Sequence, residues 1–325
     1  MKLFQLIEKR VWHFLGNVQE PFYSWLNKCM NFWLLMKNRE KIRHFPEGEH
    51  KDKIFYLIDD LPYSVGLAGW YDRVLGYMKR AEAKGWIPIV AKSHDSAFKE
   101  RGDWYTYFSA VSRYSHLDIN EFANVVKAEG HGVIHKRYNP KEIAIRHRLS
   151  ANAKLNEETS DFVEQILSKF NCNETKSIGV YFRGTDYRVG KSWRPIGHTT
   201  VPAYEDFAME LEQTAEKWGV DLKNGSSIFF VTEEEEALEF FKNRWPNIRY
   251  IKKARFKNFR FGVCVPHQVP DGVAHIDNNR LYLADIVGLS RCNYLFGGVN
   301  GGVLMALNLN GNKYQGVNII NTGVS

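Results

Sequence analysis

From Lys53 onward the chain alternates short apolar runs with longer amphipathic stretches, and this alternation restricts the fold more than any other feature. "KIFYLID" (Lys53 to Asp59) reads as a strand, the turn "DLPYSVGLAG" follows, and a helix then places Val74, Tyr77, Met78 and Ala81 on one face. Gly85 stops that helix and "GWIPIVAK" (Gly85 to Lys92) forms the next strand. Residues 93 to 150 are less regular. "DWYTYFSAVSRY" fits either a helix or an irregular aromatic wall, and a connecting helix follows Pro140. The pattern then sharpens. A helix carrying Phe162, Val163, Ile166, Leu167 and Phe170 leads into the strand "SIGVYF". A helix from Pro202 to about Trp218 turns Phe207, Leu211 and Ala215 inward. The strand "SSIFFVT", a glutamate-rich helix opened and capped by Thr232, and the strand "IRYIKK" come next. The helix "NRLYLADIVGLSRC", the strand "NYLFGG" and a glycine turn into "GGVLMALNL" complete the series. Strands and helices alternating at this spacing predict an α/β chain with parallel sheets covered by helices on both faces. At 325 residues the chain suits two domains.

The first 45 residues differ. They are crowded with Trp, Phe and Leu, yet Lys9, Arg10, Glu20, Lys28 and Lys37 interrupt every apolar run. No run reaches the roughly 20 apolar residues that span a bilayer, and no small-residue cleavage site follows a short apolar block. Two arrangements fit: a helical pair packed on the body, or an aromatic and basic face in peripheral contact with the inner membrane. Four dispersed cysteines with no CxxC pair suggest neither a zinc site nor a disulfide framework, which matches a cytoplasmic location. The net charge of +7 suits an anionic partner, but the basic residues are scattered and form no nucleic-acid module.

In sheets of this kind ligands bind beyond the carboxyl ends of the strands. The residues there are Asp59, Asp60, Gly66 and Gly69 after the first strand, and Arg183, Gly184, Thr185, Asp186 and Tyr187 after "VYF". Thr232, Glu233 and Glu234 follow "FFV", and Gly297, Gly298, Val299, Asn300, Gly301 and Gly302 follow "YLF". A glycine bend opening a helix brings backbone amides close to an anion, and Arg183 offers a planar fork to phosphate oxygens. Lys191 adds a second cation and His198 a titratable ring nearby. Neither GxGxxG nor GxxxxGK[ST] occurs, and no DxD pair is present to hold a metal against a diphosphate, so no metal is expected.

The stretch "YFRGTD" resembles the HxRxxD-type signature of the GDP-fucose-dependent glycosyltransferases, the superfamily of α1,6-fucosyltransferases, protein O-fucosyltransferases and the rhizobial nodulation fucosyltransferase. "FFVTEE" is similar to that family's strand ending in Thr-Asp-Asp, and "LADIVGLSRCNYLFGGVNGGV" to its Asp-led helix, strand and Ser-rich turn. The likeness covers about residues 177 to 310. It implies a GT-B fold of two facing Rossmann-like domains: an acceptor domain over 46–155 and a donor domain over 156–325, behind the 1–45 segment. It implies an inverting, metal-independent transfer of a sugar, with GDP-fucose as the donor, to a glycan hydroxyl in surface polysaccharide synthesis, with no cofactor beyond the GDP-sugar co-substrate and an oligosaccharide acceptor as partner. Carried over by position, Arg183 contacts the diphosphate, Asp186 the loop or nucleotide, Asp285 the guanine, and Gly298 to Gly301 the phosphates; Glu233 and Glu234 replace the acidic pair. Tyr181 stands where the family usually has histidine, Lys191 near where some members have glutamate, and glycines replace the serines of the last turn. Asp59, Asp60 and His198 qualify by location as the base for the acceptor hydroxyl.

Overall fold

The computed structural model describes residues 25, 29, 40–59, 61–62, 65–93, 98–114, 121–128, 139–170, 176–185, 201–223, 227–257, 269–270 and 272–320. These contain two sheets. The first is built from β1 (Ile42–His44), β2 (Phe55–Ile58), β3 (Ile87–Val90) and β4 (Asn124–Lys127), in the order β1-β4-β2-β3. Strand β2 runs parallel to both β3 and β4, whereas β1 pairs antiparallel with β4, Ile42 opposite Val126. That edge departs from the all-parallel expectation, and β1 lies inside the segment read as helical. It is three residues long and solvent-exposed, so no apolar periodicity announces it. What fixes its approach is Glu40, which takes a two-pronged ion pair from Arg80 and a hydrogen bond from the Tyr56 hydroxyl. Pro88 is tolerated in β3 because that strand lies at the other edge.

The second sheet comprises β5 (Ile178–Phe182), β6 (Ile228–Thr232), β7 (Ile248–Arg249), β8 (Tyr294–Gly298) and β9 (Gly316–Ile320), all parallel, in the order β7-β6-β5-β8-β9. Every residue of β5 and β6 is buried, which explains why they read as unbroken apolar runs rather than alternations. The chain builds outward from β5 to β7 and then returns to the other side of β5 for β8 and β9. The order therefore reverses between β5 and β8.

The helices are α1 (Leu67–Lys84), the single turns α2 (Phe98–Arg101) and α3 (Trp104–Tyr107), α4 (Pro140–Ser150), α5 (Glu157–Leu167), α6 (Tyr204–Lys217), α7 (Glu235–Arg244), α8 (His275–Arg291) and α9 (Gly301–Asn310). Asparagine side chains cap α4, α5 and α9 by accepting first-turn amides, and Gly85 ends α1 in the left-handed region at φ 68°. The stretch "DWYTYFSAVSRY" forms only one capped turn: Asp103 takes the Thr106 amide, and Trp104, Tyr107 and Phe108 are buried. These three aromatic side chains thus serve packing.

One apolar cluster takes side chains from both sheets and their helices, among them Tyr56, Trp70, Tyr71 and Trp104 with Tyr181, Leu283, Ile286 and Leu304. A second lies on the opposite face of the second sheet, where Phe182, Phe207, Phe230, Phe241, Trp245 and Phe296 interlock. Each such aromatic contributes roughly 1.5–3 kcal/mol by leaving water. Among the described residues no helix is long and apolar enough to cross a membrane. Cys292 is buried and Cys29 exposed, both as free thiols.

Candidate functional site

An open α/β sheet leaves a crevice where its strand order reverses, because the connections on either side depart in opposite directions. Here that crevice lies above β5 and β8. Tyr181 is paired with Gly297 in parallel register, so Arg183 and the Val299–Asn300 bend leave neighbouring strands side by side. Two distant sequence segments are thereby brought to one edge.

The bend starts α9. Asn300 caps the helix by accepting the Val303 amide at 3.0 Å, and its own side-chain amide donates to the Gly298 carbonyl at 3.1 Å. Facing it is the start of α1, whose N-cap, Gly66, has no side chain to take a first-turn amide. A β-carbon on Gly301 would stand 3.4 Å from that of Ala68 and 3.8 Å from the Gly69 amide nitrogen. The first turns of the two helices are therefore in van der Waals reach, and each presents the positive end of its dipole. Arg101 holds the lead-in to α1. It is 1% exposed, donates to the Val65 carbonyl at 2.6 Å and lies 4.6 Å over the Trp70 ring. The sequence reading missed this arginine, which sits in the unremarkable stretch "KERGD".

On the other side of β5, the Arg183 guanidinium pairs with Glu233 at 3.1 Å, and the Tyr181 hydroxyl donates to the same carboxylate oxygen. The second oxygen of Glu233 is buried with no hydrogen-bond partner. Burial and the adjacent Glu233 charge hold the Tyr181 phenol far above its usual range, so it stays protonated and donating. Glu234 braces the Arg183 loop: it accepts the Thr185 amide and, at 2.9 Å, the Tyr204 hydroxyl. Its carboxylate crosses so close to Gly184 that a β-carbon there would lie 2.2 Å away. Thr185 adopts a left-handed φ of 48° under this brace. Thr232 does not cap the following helix as expected. The helix α7 starts at Glu235 with Glu234 as its N-cap, and the Thr232 hydroxyl takes only the Glu234 amide, at 3.2 Å.

Asp285, on α8, is 1% exposed and forms an ion pair with Lys253. Its other oxygen is buried and has no partner. Burial raises the carboxyl pKa, against the opposing pull of Lys253. Lys253 is placed by Arg255, which is spent on three carbonyls: Thr232 at 3.2 Å, Lys253 at 3.1 Å and Ile251 at 2.9 Å. The run "IRYIKK" is accordingly a strand for Ile248 and Arg249 only, and then a folded loop. No sequence signal separates Lys253 and Arg255 from ordinary surface cations.

The site thus gathers Arg183, Glu233, Asp285, Gly298 to Gly301, Gly66 and Gly69 around one crevice. Two helix ends and a guanidinium suit a diphosphate, and the two unpartnered carboxylate oxygens suit N–H or O–H donors. Glu234 and Thr232 act on the loop instead. Asp60, Asp186, Tyr187, Lys191 and His198 lie outside the described residues. Asp59, at the end of β2, is held by Lys127 at 2.6 Å. Among the described residues no group of three or more His, Cys, Asp or Glu is placed to hold a metal ion.

No protein-family model and no curated protein sequence matches the chain. Among solved structures, a NodZ α-1,6-fucosyltransferase soaked with GDP-fucose superposes with a TM-score of 0.49 at 11% identity, over 79% of this chain and 92% of that one. An Arabidopsis thaliana FUT1 mutant in complex with GDP gives 0.47 at 11% identity, over 94% and 77%. POFUT1 in complex with GDP-fucose gives 0.37 at 8%, over 85% and 75%. These three solved structures are fucosyltransferases.

Proposed function

We propose that the protein transfers fucose from GDP-fucose to a glycan hydroxyl, with inversion at the sugar carbon and without a metal, in the synthesis of surface polysaccharide. The observation that carries the reading is the meeting of the α1 and α9 N-termini at Ala68 and Gly301, one strand away from Arg183. The motifs around Arg183, Glu233 and Asp285 supply the nucleotide and the sugar through the resemblance they carry.

When the bond between the sugar carbon and the diphosphate breaks, the bonding pair stays on the leaving oxygen. The acceptor hydroxyl supplies the new pair to carbon and gives up its proton. Negative charge therefore grows on the phosphate while positive charge grows on the ring. Arg183 and the two helix ends are fixed donors aimed at the first of these, and loss of one such donor costs about 3 kcal/mol of barrier, a hundredfold or more in rate. In this reading the unpartnered oxygen of Asp285 takes a guanine N–H. Asp60 and His198 remain candidates for the proton. In this reading the protein works as a cytoplasmic enzyme.

Calorimetry with GDP tests the reading. Wild type is expected to bind, Arg183→Lys more weakly, and Arg183→Ala at least tenfold more weakly. Absence of GDP binding to the wild type, or undiminished binding to Arg183→Ala, would overturn it.

A further inference from the structure

The Tyr181 hydroxyl and the Arg183 guanidinium share one oxygen of Glu233, while the other oxygen of that carboxylate is buried with no hydrogen-bond partner. Register produces this arrangement. Phe182 pairs with Thr232, so Arg183 and Glu233 come next as lateral neighbours where β5 and β6 end. Tyr181, two residues before Arg183 on an extended chain, leaves the same face of the sheet. The last torsion of a glutamate is broad and shallow, so a carboxylate gripped at one oxygen stands still only if the group that grips it is itself fixed. Of the two groups on that oxygen, Arg183 has the long and flexible side chain and Tyr181 the rigid one.

Packing fixes Tyr181. A β-carbon on Gly302 would stand 2.2 Å from the edge of its ring, 2.9 Å from Ile286 and 3.0 Å from the Tyr282 hydroxyl, so the first turn of α9 lies directly on the phenol. Gly297, the register partner on β8, closes the other approach: a β-carbon there would lie 3.0 Å from the Tyr181 carbonyl oxygen and 3.5 Å from its β-carbon. A continuous line of contact therefore runs from the start of α9 through the ring, its hydroxyl and Glu233 to Arg183. At 1% exposure Tyr181 itself meets no ligand, and any effect it has on the site passes through Glu233.

We infer that Tyr181 is a positioning residue, whose hydroxyl anchors Glu233 and through it holds Arg183 in register with the N-terminus of α9. The inference rests on the GDP-sugar reading for what Arg183 meets, but the anchoring is measured without a ligand. NMR of the arginine Nε–H groups in the full chain reports how fast the Arg183 guanidinium turns, its resonance being assigned by its loss in Arg183→Lys. Rotation should be slow in the wild type and at least fivefold faster in Glu233→Gln and in Tyr181→Phe, which keeps the ring and its packing. Gly302→Ala, which displaces the ring and keeps the hydroxyl, should free the guanidinium as well. Calorimetry with GDP then closes a cycle. Tyr181→Phe leaves the Glu233 charge in place and should weaken GDP binding at least fivefold in the wild-type background. In the Glu233→Gln background the same substitution should change it less than twofold, whereas a packing role for the tyrosine would give equal losses in both. Slow rotation persisting in Tyr181→Phe or in Gly302→Ala, or equal losses of GDP affinity in the two backgrounds, would overturn the inference. Rotation that responds as expected, in a protein that does not bind GDP, would leave the anchoring standing and remove the donor reading.

Discussion

Gly301 and Ala68 belong to helices of different sheets, yet a β-carbon on the first would lie 3.4 Å from that of the second. An alanine at position 301 makes an ordinary contact there; any longer side chain enters the space in front of both helix ends. Gly301→Ala should therefore retain stability and GDP affinity. Gly301→Leu should lose at least tenfold in GDP affinity, about 1.4 kcal/mol, with little change in melting temperature. At the neighbouring Gly302 a β-carbon would fall 2.2 Å from the Tyr181 ring, so Gly302→Ala should instead cost roughly 1–3 kcal/mol of stability. Calorimetry and thermal melts on the three variants separate the two effects.

Glu233 holds Arg183 where the proposed diphosphate binds, and its negative charge opposes the ligand. Glu233→Gln keeps the shape and removes the charge. GDP should bind severalfold more tightly, while turnover falls because the guanidinium loses its fixed partner. Weaker GDP binding in this variant would mean that the carboxylate takes part in holding the nucleotide.

Glu234 and Gly184 make one device. Removing the carboxylate in Glu234→Ala leaves the buried Thr185 amide without its acceptor, at about 1–3 kcal/mol. Gly184→Ala pushes the same carboxylate aside. Both variants should unfold at lower denaturant concentration and bind GDP more weakly, because the loop they loosen carries Arg183. Urea titrations with and without GDP measure both consequences.

Asp285 and Lys253 form an almost fully buried pair, with side chains 1% and 5% exposed. Asp285→Asn or Lys253→Met alone should cost about 3–5 kcal/mol by stranding the other charge, whereas the double variant should recover most of that loss. The pH dependence has a definite sign. The folded protein holds this carboxyl above its ordinary 3.8, so its contribution to stability is complete below 3.8 and is lost as pH rises through the raised value. The stability of the wild type minus that of Asp285→Asn should accordingly fall as pH rises above 3.8 in chemical denaturation series.

The alternation of strands and helices was legible because burial on both faces leaves unbroken apolar runs such as "IGVYF" and "IFFVT". The residues beyond those strands followed from the same rule, and Arg183 does leave the sheet next to the glycine bend. What escaped was set by tertiary contacts. The three exposed residues of β1 carry no pattern; their position depends on Glu40 reaching Arg80 and Tyr56. Arg101, Lys253 and Arg255 look like surface charges until the loops around them fold back onto carbonyls. Thr232 reads as a cap because the local sequence allows it, but Thr232 is the last residue of β6 and the N-cap falls two residues later, on Glu234.

The apolar cluster that joins Trp70 and Tyr71 to Leu283, Ile286 and Leu304 belongs to neither sheet alone. Prising the halves apart would wet that shared interior, so the apolar contact itself resists a separation of the two sheets.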